Sequence, residues 1–296
     1  MASLAHIENK TAPFGRAGLV RRFRADAPGP AAFRALADSD YHRSISTLIE
    51  SEIIPRLMIA HAVDAHDTST STIDAQEVAT LAPLALAVEA DALLAHIESI
   101  LERGVSVDTV MVDLLAPTAR LLGEYWEDDR CDFVDVTMGL WRLQEVVHEI
   151  TARCPADHIL SIGGHRALFA SMPGDQHNFG TVVIDELFRR DGWLTERMSG
   201  AETADLVRRV GADWFDLVGL TVSCDCHIAT LPSVITALRS VSRNPRVCIM
   251  VGGRLFSADP GLAVRVGADG TASDARRALK VAADLVRVRE GDALTP

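Results

Sequence analysis

The chain has 296 residues, of which 48% are hydrophobic, and a formal net charge of −12 at pH 7. That length accommodates two domains with separate cores, and that apolar content excludes a disordered chain. So negative a surface repels phosphate backbones, and the sequence has neither a helix-turn-helix signature nor zinc-finger spacing, so direct nucleic-acid contact is disfavoured. No apolar run reaches membrane-spanning length and the N-terminus lacks the apolar stretch of a secretory signal, which points to a cytoplasmic location and away from membranes. The five cysteines, Cys131, Cys154, Cys224, Cys226 and Cys248, are odd in number and follow no framework spacing, so reduced thiols are expected.

Residues 1–40 read as a flexible basic N-terminal arm. Lys10, Arg16, Arg21, Arg22 and Arg24 set its charge, and Pro28-Gly29-Pro30 breaks any helix. It is either a mobile tail or an arm that contacts a partner or covers a ligand. Residues 41–155 read as a helical bundle. Ile45, Leu48, Ile49, Ile53, Leu57 and Met58 follow helical spacing, with a kink or restart at Pro55. His61 and His66 do not share a helix face and read as solvated. After a Ser/Thr-rich loop (Asp67 to Thr72), Glu77 to Arg103 is helical, with an interruption near Pro83 and a stop at Gly104. Asp108 is expected to cap the next helix, which runs to Trp126 and is bent by Pro117. An acidic loop (Glu127-Asp128-Asp129) follows. Asp132 or Asp135 then caps a last helix carrying Met138, Trp141, Leu143, Val146 and Val147 and ending near Cys154-Pro155.

Residues 156–290 change pattern. Strands are expected at Ala167–Ser171, Leu194–Met198, Leu217–Val222 and Val247–Val251, with a short fifth near Ala268–Asp269. Helices are expected between them at Thr181–Arg190, Ala201–Val210, Ile228–Val241, Pro260–Val266 and Ser273–Val286. This alternation predicts an α/β fold: a Rossmann-like, flavodoxin-like five-stranded parallel sheet after an N-terminal helical bundle. Right-handed crossovers bring three loops to one sheet edge: 173–180, 221–227 and Gly252-Gly253-Arg254.

The first of these loops contains Asp175-Gln176-His177-Asn178-Phe179-Gly180, an Asp-x-His-x-x-Gly pattern. A carboxylate two residues before an imidazole can hold one ring nitrogen and leave the other free for a metal. The glycine lets the backbone pass close to something large. Cys224-x-Cys226-His227 gathers thiols and an imidazole, but four well-spaced ligands are missing, so a structural zinc is disfavoured and the segment reads as a pocket-edge loop, with a redox role as the alternative. Cys154 and Cys248 read as buried or incidental. No catalytic triad, phosphate loop with lysine or paired carboxylates can be argued, so the chain is read as a non-enzyme.

The three loops, and the order of helical bundle then α/β domain, resemble the cobalamin-binding modules of methionine synthase, corrinoid methyl carriers and light-sensing regulators. The resemblance covers roughly residues 42–288. It implies that His177 is the lower axial ligand to cobalt and Asp175 its orienting partner, with Gly180 opening the channel for the nucleotide tail. The family's Ser-x-Leu falls on Thr221-Val222-Ser223, where Thr221 keeps a hydroxyl and Ser223 departs from leucine. Its Gly-Gly falls on Gly252-Gly253, where missing side chains make room for the tail. Leu122-Gly123-Glu124-Tyr125-Trp126 resembles the Leu-Gly-x-x-Trp of cobalamin caps, in which the tryptophan, here Trp126, packs over the upper corrin face.

Cobalamin light sensors that regulate DNA directly have a Glu-His pair and a further histidine beyond that tryptophan; here the positions hold Val136-Thr137 and Glu127. Phe133-Val134-Asp135-Val136-Thr137, Trp141-Arg142-Leu143-Gln144, Ile54-Pro55-Arg56-Leu57 and Ser223-Cys224-Asp225-Cys226 instead look like the antirepressors of photosynthesis genes (the AerR/PpaA type) and their haem-binding relatives. That resemblance implies cobalamin in adenosyl, methyl or hydroxo form, with haem as the alternative. It implies a light-responsive regulator acting on a DNA-binding transcriptional repressor of photosynthesis genes. His6, His42 and His148 are candidate upper donors. A corrinoid methyl carrier is the competing reading, and a haem redox sensor the third.

Overall fold

The computed structural model of the protein describes residues 72–155 and 164–291. The expectations for the basic arm, the helix over Ile45–Met58, and His6, His42, His61 and His66 lie outside these residues. All the described residues belong to one contact unit, Asp67–Pro296.

The helical layer comes first. Asp74 opens α1 (Ala75–Ala87): its carboxylate accepts the Glu77 amide at 2.8 Å, and Glu77 accepts the Asp74 amide at 3.0 Å, a capping box. Pro83 does not interrupt α1, because Leu81, Ala82 and Ala85 on either side of it are fully buried and hold the helix. The break comes later, where Val88 and Glu89 are extended. In α2 (Ala90–Leu101), Leu93, Leu94, Ile97 and Ile100 form the buried face, and Gly104 stops the helix at φ +88° as expected.

The next helix is capped by Ser106 rather than Asp108. Ser106 Oγ accepts the Thr109 amide at 3.1 Å, while Asp108 is drawn out to Arg190, whose Nε lies 2.7 Å away. The helix enters through Val107–Thr109, passes into a π-helical stretch (Val110–Leu115) and continues as α3 (Ala116–Glu127). The wider π turn is the form taken by the bend expected at Pro117, which offers no N–H to the preceding turn. In α4 (Phe133–Arg153) both cap candidates act: Asp132 accepts the Asp135 amide and Asp135 accepts the Asp132 amide.

Four parallel strands follow: β1 (Arg166–Ser171), β2 (Leu194–Met198), β3 (Leu217–Thr221) and β4 (Cys248–Gly252), in the order β2-β1-β3-β4. The expected five-stranded sheet is therefore four-stranded. Near Ala268–Asp269 only a parallel bridge forms, between Met250 and Gly270. The Asp269 carboxylate itself accepts the Ile249 amide at 2.6 Å and also holds Arg239 and Arg289, so a side chain occupies part of what would be the next ladder. The helices are α5 (Phe179–Arg190), α6 (Thr203–Ala212), α7 (Leu231–Val241), α8 (Arg254–Ala258), α9 (Gly261–Arg265) and α10 (Ala275–Gly291); α8 was not expected.

Side chains on β1, β3 and β4 alternate between two cores. Leu168, Ala170, Val218, Leu220, Ile249 and Val251 pack on one face with α6, α7 and α9. Ala167, Phe169, Leu217 and Met250 pack on the other with Phe188, Trp193 and α10. Helix α5 is shared. Its Phe179, Val182, Val183 and Leu187 join the core of the helical layer, while Phe188 lies under the sheet. The element that begins at the histidine loop is thus the wall between the two layers. Among the described residues no helix is long and apolar enough to cross a membrane.

Candidate functional site

The chain leaves β1 toward β2 on one side and returns through β3 on the other, so the loops after β1 and β3 diverge at a topological switch point. Register places Ser171 opposite Thr221, and Thr221 opposite Gly252. These three residues form a row across the carboxyl ends of the strands, beneath the histidine loop. Ser171 Oγ donates to the His177 carbonyl at 2.8 Å and anchors the loop to the row. Ser171 was not singled out in the sequence; its signal was a polar residue ending an apolar strand.

Asp175 is the hub of the loop, its side chain almost wholly buried. Its Oδ1 accepts from His177 Nδ1 at 2.8 Å and from the His177 amide at 3.0 Å. Its Oδ2 accepts the Ser223 amide at 2.7 Å. Ser223 therefore contributes through its backbone. The His177 side chain is 67% exposed. With the Nδ1 proton engaged, the tautomer is set and the lone pair of Nε2 is left free, aimed away from the carboxylate.

Burial opposes ionisation of Asp175, but the hydrogen bonds from the His177 ring, the His177 amide and the Ser223 amide outweigh it and lower its pKa to about 2. The same bond raises the His177 pKa against the opposing effect of burial. A depressed carboxylate gives stability that is present above its unfolded pKa and lost as pH falls through the folded value. Urea melts should therefore show a loss of about 2 kcal/mol from this group between about pH 4 and about pH 2. Asp175→Asn should remove that part of the slope and leave the rest. The raised imidazole acts in the opposite sense: its contribution is complete below about pH 6.5 and is lost as pH rises through the folded value.

The strand-end row fits a bulky ligand tail by two independent signs. Thr221 Oγ1 is buried and has no hydrogen-bond partner, a cost of about 1–3 kcal/mol that an incoming polar group would relieve. The neighbouring glycines face space. A Cβ on Gly252 meets nothing within 4 Å, and one on Gly180 meets only Thr221 Cγ2 at 4.0 Å. The fold does not need a glycine at position 180, inside α5. Gly180→Ala should stabilise the ligand-free protein by about 0.5 kcal/mol in thermal melts, while narrowing the space beside Thr221. Gly253 differs: its φ is +123° and a Cβ would lie 2.1 Å from the Val222 carbonyl oxygen.

The helical layer reaches this edge at two points. Gln144 Nε2 donates to Asn178 Oδ1 at 3.1 Å, which joins the middle of α4 to the histidine loop. Glu127, at the end of α3, lies 3.9 Å from Arg254, directly after the paired glycines. Trp126, the residue before Glu127, is 49% exposed, so it is not a core tryptophan. Val134, Met138 and Trp141, spaced by four and three residues, add an exposed apolar stripe on α4. His148, exposed, lies one turn beyond Gln144. The roles of Gln144 and Asn178 were not visible in the sequence, since their bond spans a separation of 34 residues.

The expectation of five reduced cysteines is corrected at one place. Cys224 and Cys226 are joined in a disulfide, because a 3-10 turn (Asp225–His227) brings their Cα atoms to 5.3 Å. Cys131 is half-buried, Cys248 buried and Cys154 exposed. Among the described residues no three His, Cys, Asp or Glu side chains converge as a metal cage.

Residues 165–280 match the family described as B12 binding domain. A Rhodobacter capsulatus relative, named as an uncharacterized 20.5 kDa protein in the bchF-crtJ intergenic region, is 27% identical over 170 residues, covering 57% of this chain and 88% of its own length. The solved monomethylamine corrinoid protein of Methanosarcina barkeri shares the fold, with a TM-score of 0.57 at 15% identity, over 71% of this chain and 98% of that one. A cobalamin-binding protein of Desulfitobacterium hafniense overlaps more loosely, with a TM-score of 0.38 at 15% identity over 70% of this chain and 97% of that one. Asp175, His177, Thr221 and Gly252 all lie inside the stretch that matches the B12 binding domain family.

Proposed function

We propose that the protein is a cobalamin-binding, light-responsive regulator of the AerR/PpaA antirepressor type, which contacts a DNA-binding repressor of photosynthesis genes and catalyses nothing itself. The observation that carries this reading is the exposed His177 Nε2 at the switch-point edge, its partner nitrogen held by buried Asp175. Bound cobalamin would supply a cobalt ion that takes a nitrogen donor and carries a light-labile bond. His177 would give that nitrogen and Asp175 would keep it oriented. Thr221 offers its unpaired hydroxyl to the tail, and Gly180 and Gly252 leave it room. Trp126, Met138 and Trp141 offer an apolar cover on the helical side.

A ligand shifts a conformational equilibrium only by its differential affinity for the two states. The Gln144–Asn178 and Glu127–Arg254 contacts are where the helical layer would register a change at the loop edge. The acidic chain, with its exposed Phe133 and Val134, favours a protein listener over a nucleic acid.

The protein is loaded with adenosylcobalamin in the dark, and absorption and amide exchange are followed before and after illumination. Retained cobalamin and altered protection in α4 after light are expected. A protein that retains no cobalamin sinks the proposal. Turnover of a methylated corrinoid with a methyl acceptor would instead assign a methyl carrier, and a Soret band in freshly purified protein a haem sensor.

A further inference from the structure

We propose that Cys224 and Cys226 form a reversible dithiol–disulfide couple whose state sets the position of the Asp175–His177 loop. The pair closes across a 3-10 turn, with Cα atoms 5.3 Å apart. Cys226 is exposed and Cys224 half-buried, so small thiols and disulfides reach them.

The coupling is geometric. Ser223, immediately before the pair, donates its amide to Asp175 Oδ2 at 2.7 Å. His227, immediately after it, lies against Gly174: a Cβ there would sit 3.3 Å from His227 Cε1. The cysteines therefore lie between two residues that meet consecutive positions just ahead of His177: Ser223 by a hydrogen bond to Asp175, and His227 by its proximity to Gly174. A closed disulfide fixes the span between those two residues, and an open dithiol returns side-chain rotation to both cysteines. The open form keeps a local cap, because Cys224 Sγ is placed to accept the Cys226 amide at 3.3 Å.

Oxidation proceeds by exchange with a low-molecular-weight disulfide of the glutathione type. One cysteine thiolate attacks it, forming a mixed disulfide and releasing one thiolate; the second cysteine thiolate then displaces the other. Two electrons pass from the cysteine pair to the disulfide, and the two cysteine protons end on the two released thiols. A reducing thiol runs the exchange backwards. None of this requires a bound cofactor, so it stands or falls separately from the cobalamin reading.

The test uses the full chain without cofactor, equilibrated in glutathione buffers of rising reduced-to-oxidised ratio. Cysteines are alkylated and mapped by peptide mass spectrometry, and proton–nitrogen correlation spectra are recorded on the same samples. Cys224 and Cys226 should become alkylated together in one two-electron transition. The Asp175 and Ser223 amide peaks and the His177 ring signals should shift in step, and Cys226→Ser should abolish that shift. A pair that is alkylated at every ratio, or at none, overturns the couple. A redox transition that leaves those signals in place, or signals that move equally in Cys226→Ser, overturns the coupling.

Discussion

A His177→Ala variant titrated with cobalamin is expected to lose the absorption signature of nitrogen-ligated cobalt and to bind at least about 100-fold more weakly than the unaltered protein. The scale follows from the effect of outer partners, whose loss costs about 10–100-fold in metal affinity; removing the donor itself costs more. The fold should hardly notice. His177 is 67% exposed, and Asp175 keeps the Ser223 amide and the backbone amide of residue 177 as partners, so the stability change should stay within about 1 kcal/mol. Asp175→Asn should fall between the two proteins, about 10–100-fold down, because the ring keeps its nitrogen but loses the carboxylate that orients it. That ranking separates a ligand from a bystander. If His177→Ala binds with unchanged affinity and spectrum, the lower-donor assignment is wrong, whatever the other variants do.

The parts of this site that could be read in the sequence are those whose physics is local. Asp175 and His177 are two residues apart, and their bond closes within one loop, so the pattern alone implies it. The positions of β1, β3 and β4 came through because each is an apolar run buried on both faces, whereas β2, at the sheet edge, is mixed in polarity and only partly buried. What failed depended on distant partners or on backbone. Ser106 and Asp108 are both good cap residues, and Arg190, at a separation of 82 residues, decided between them. Ser223 acts through an amide, which every non-proline residue carries, so its side chain announced nothing. The fifth strand was lost to a carboxylate, that of Asp269, taking a ladder bond a run of apolar residues would have left to backbone. Hardest of all are Gly252 and Gly253, identical letters side by side with opposite physical demands.

Gly253→Ala is expected to destabilise the protein by about 4 kcal/mol, read as a large fall in melting temperature without ligand. Two effects add there. The backbone has φ +123°, outside what an L side chain adopts readily, at a cost of about 1–3 kcal/mol. A Cβ would also meet the Val222 carbonyl oxygen at 2.1 Å, and this is backbone, which cannot swing aside as a side-chain tip can. Val222 is pinned, since its amide donates to the Gly252 carbonyl at 2.9 Å, so relief would require β3 and β4 to part at their ends. Gly252→Ala should behave differently. Its Cβ points into open space, so the ligand-free melting temperature should stay nearly unchanged. If the nucleotide tail runs over the row of Ser171, Thr221 and Gly252, the added methyl overpacks it by about 1–3 kcal/mol and cobalamin affinity drops roughly 10- to 100-fold. On that expectation one glycine is needed by the chain and the other by its ligand. A Gly252→Ala protein that binds cobalamin normally would mean the tail takes another path, even with His177 on the metal.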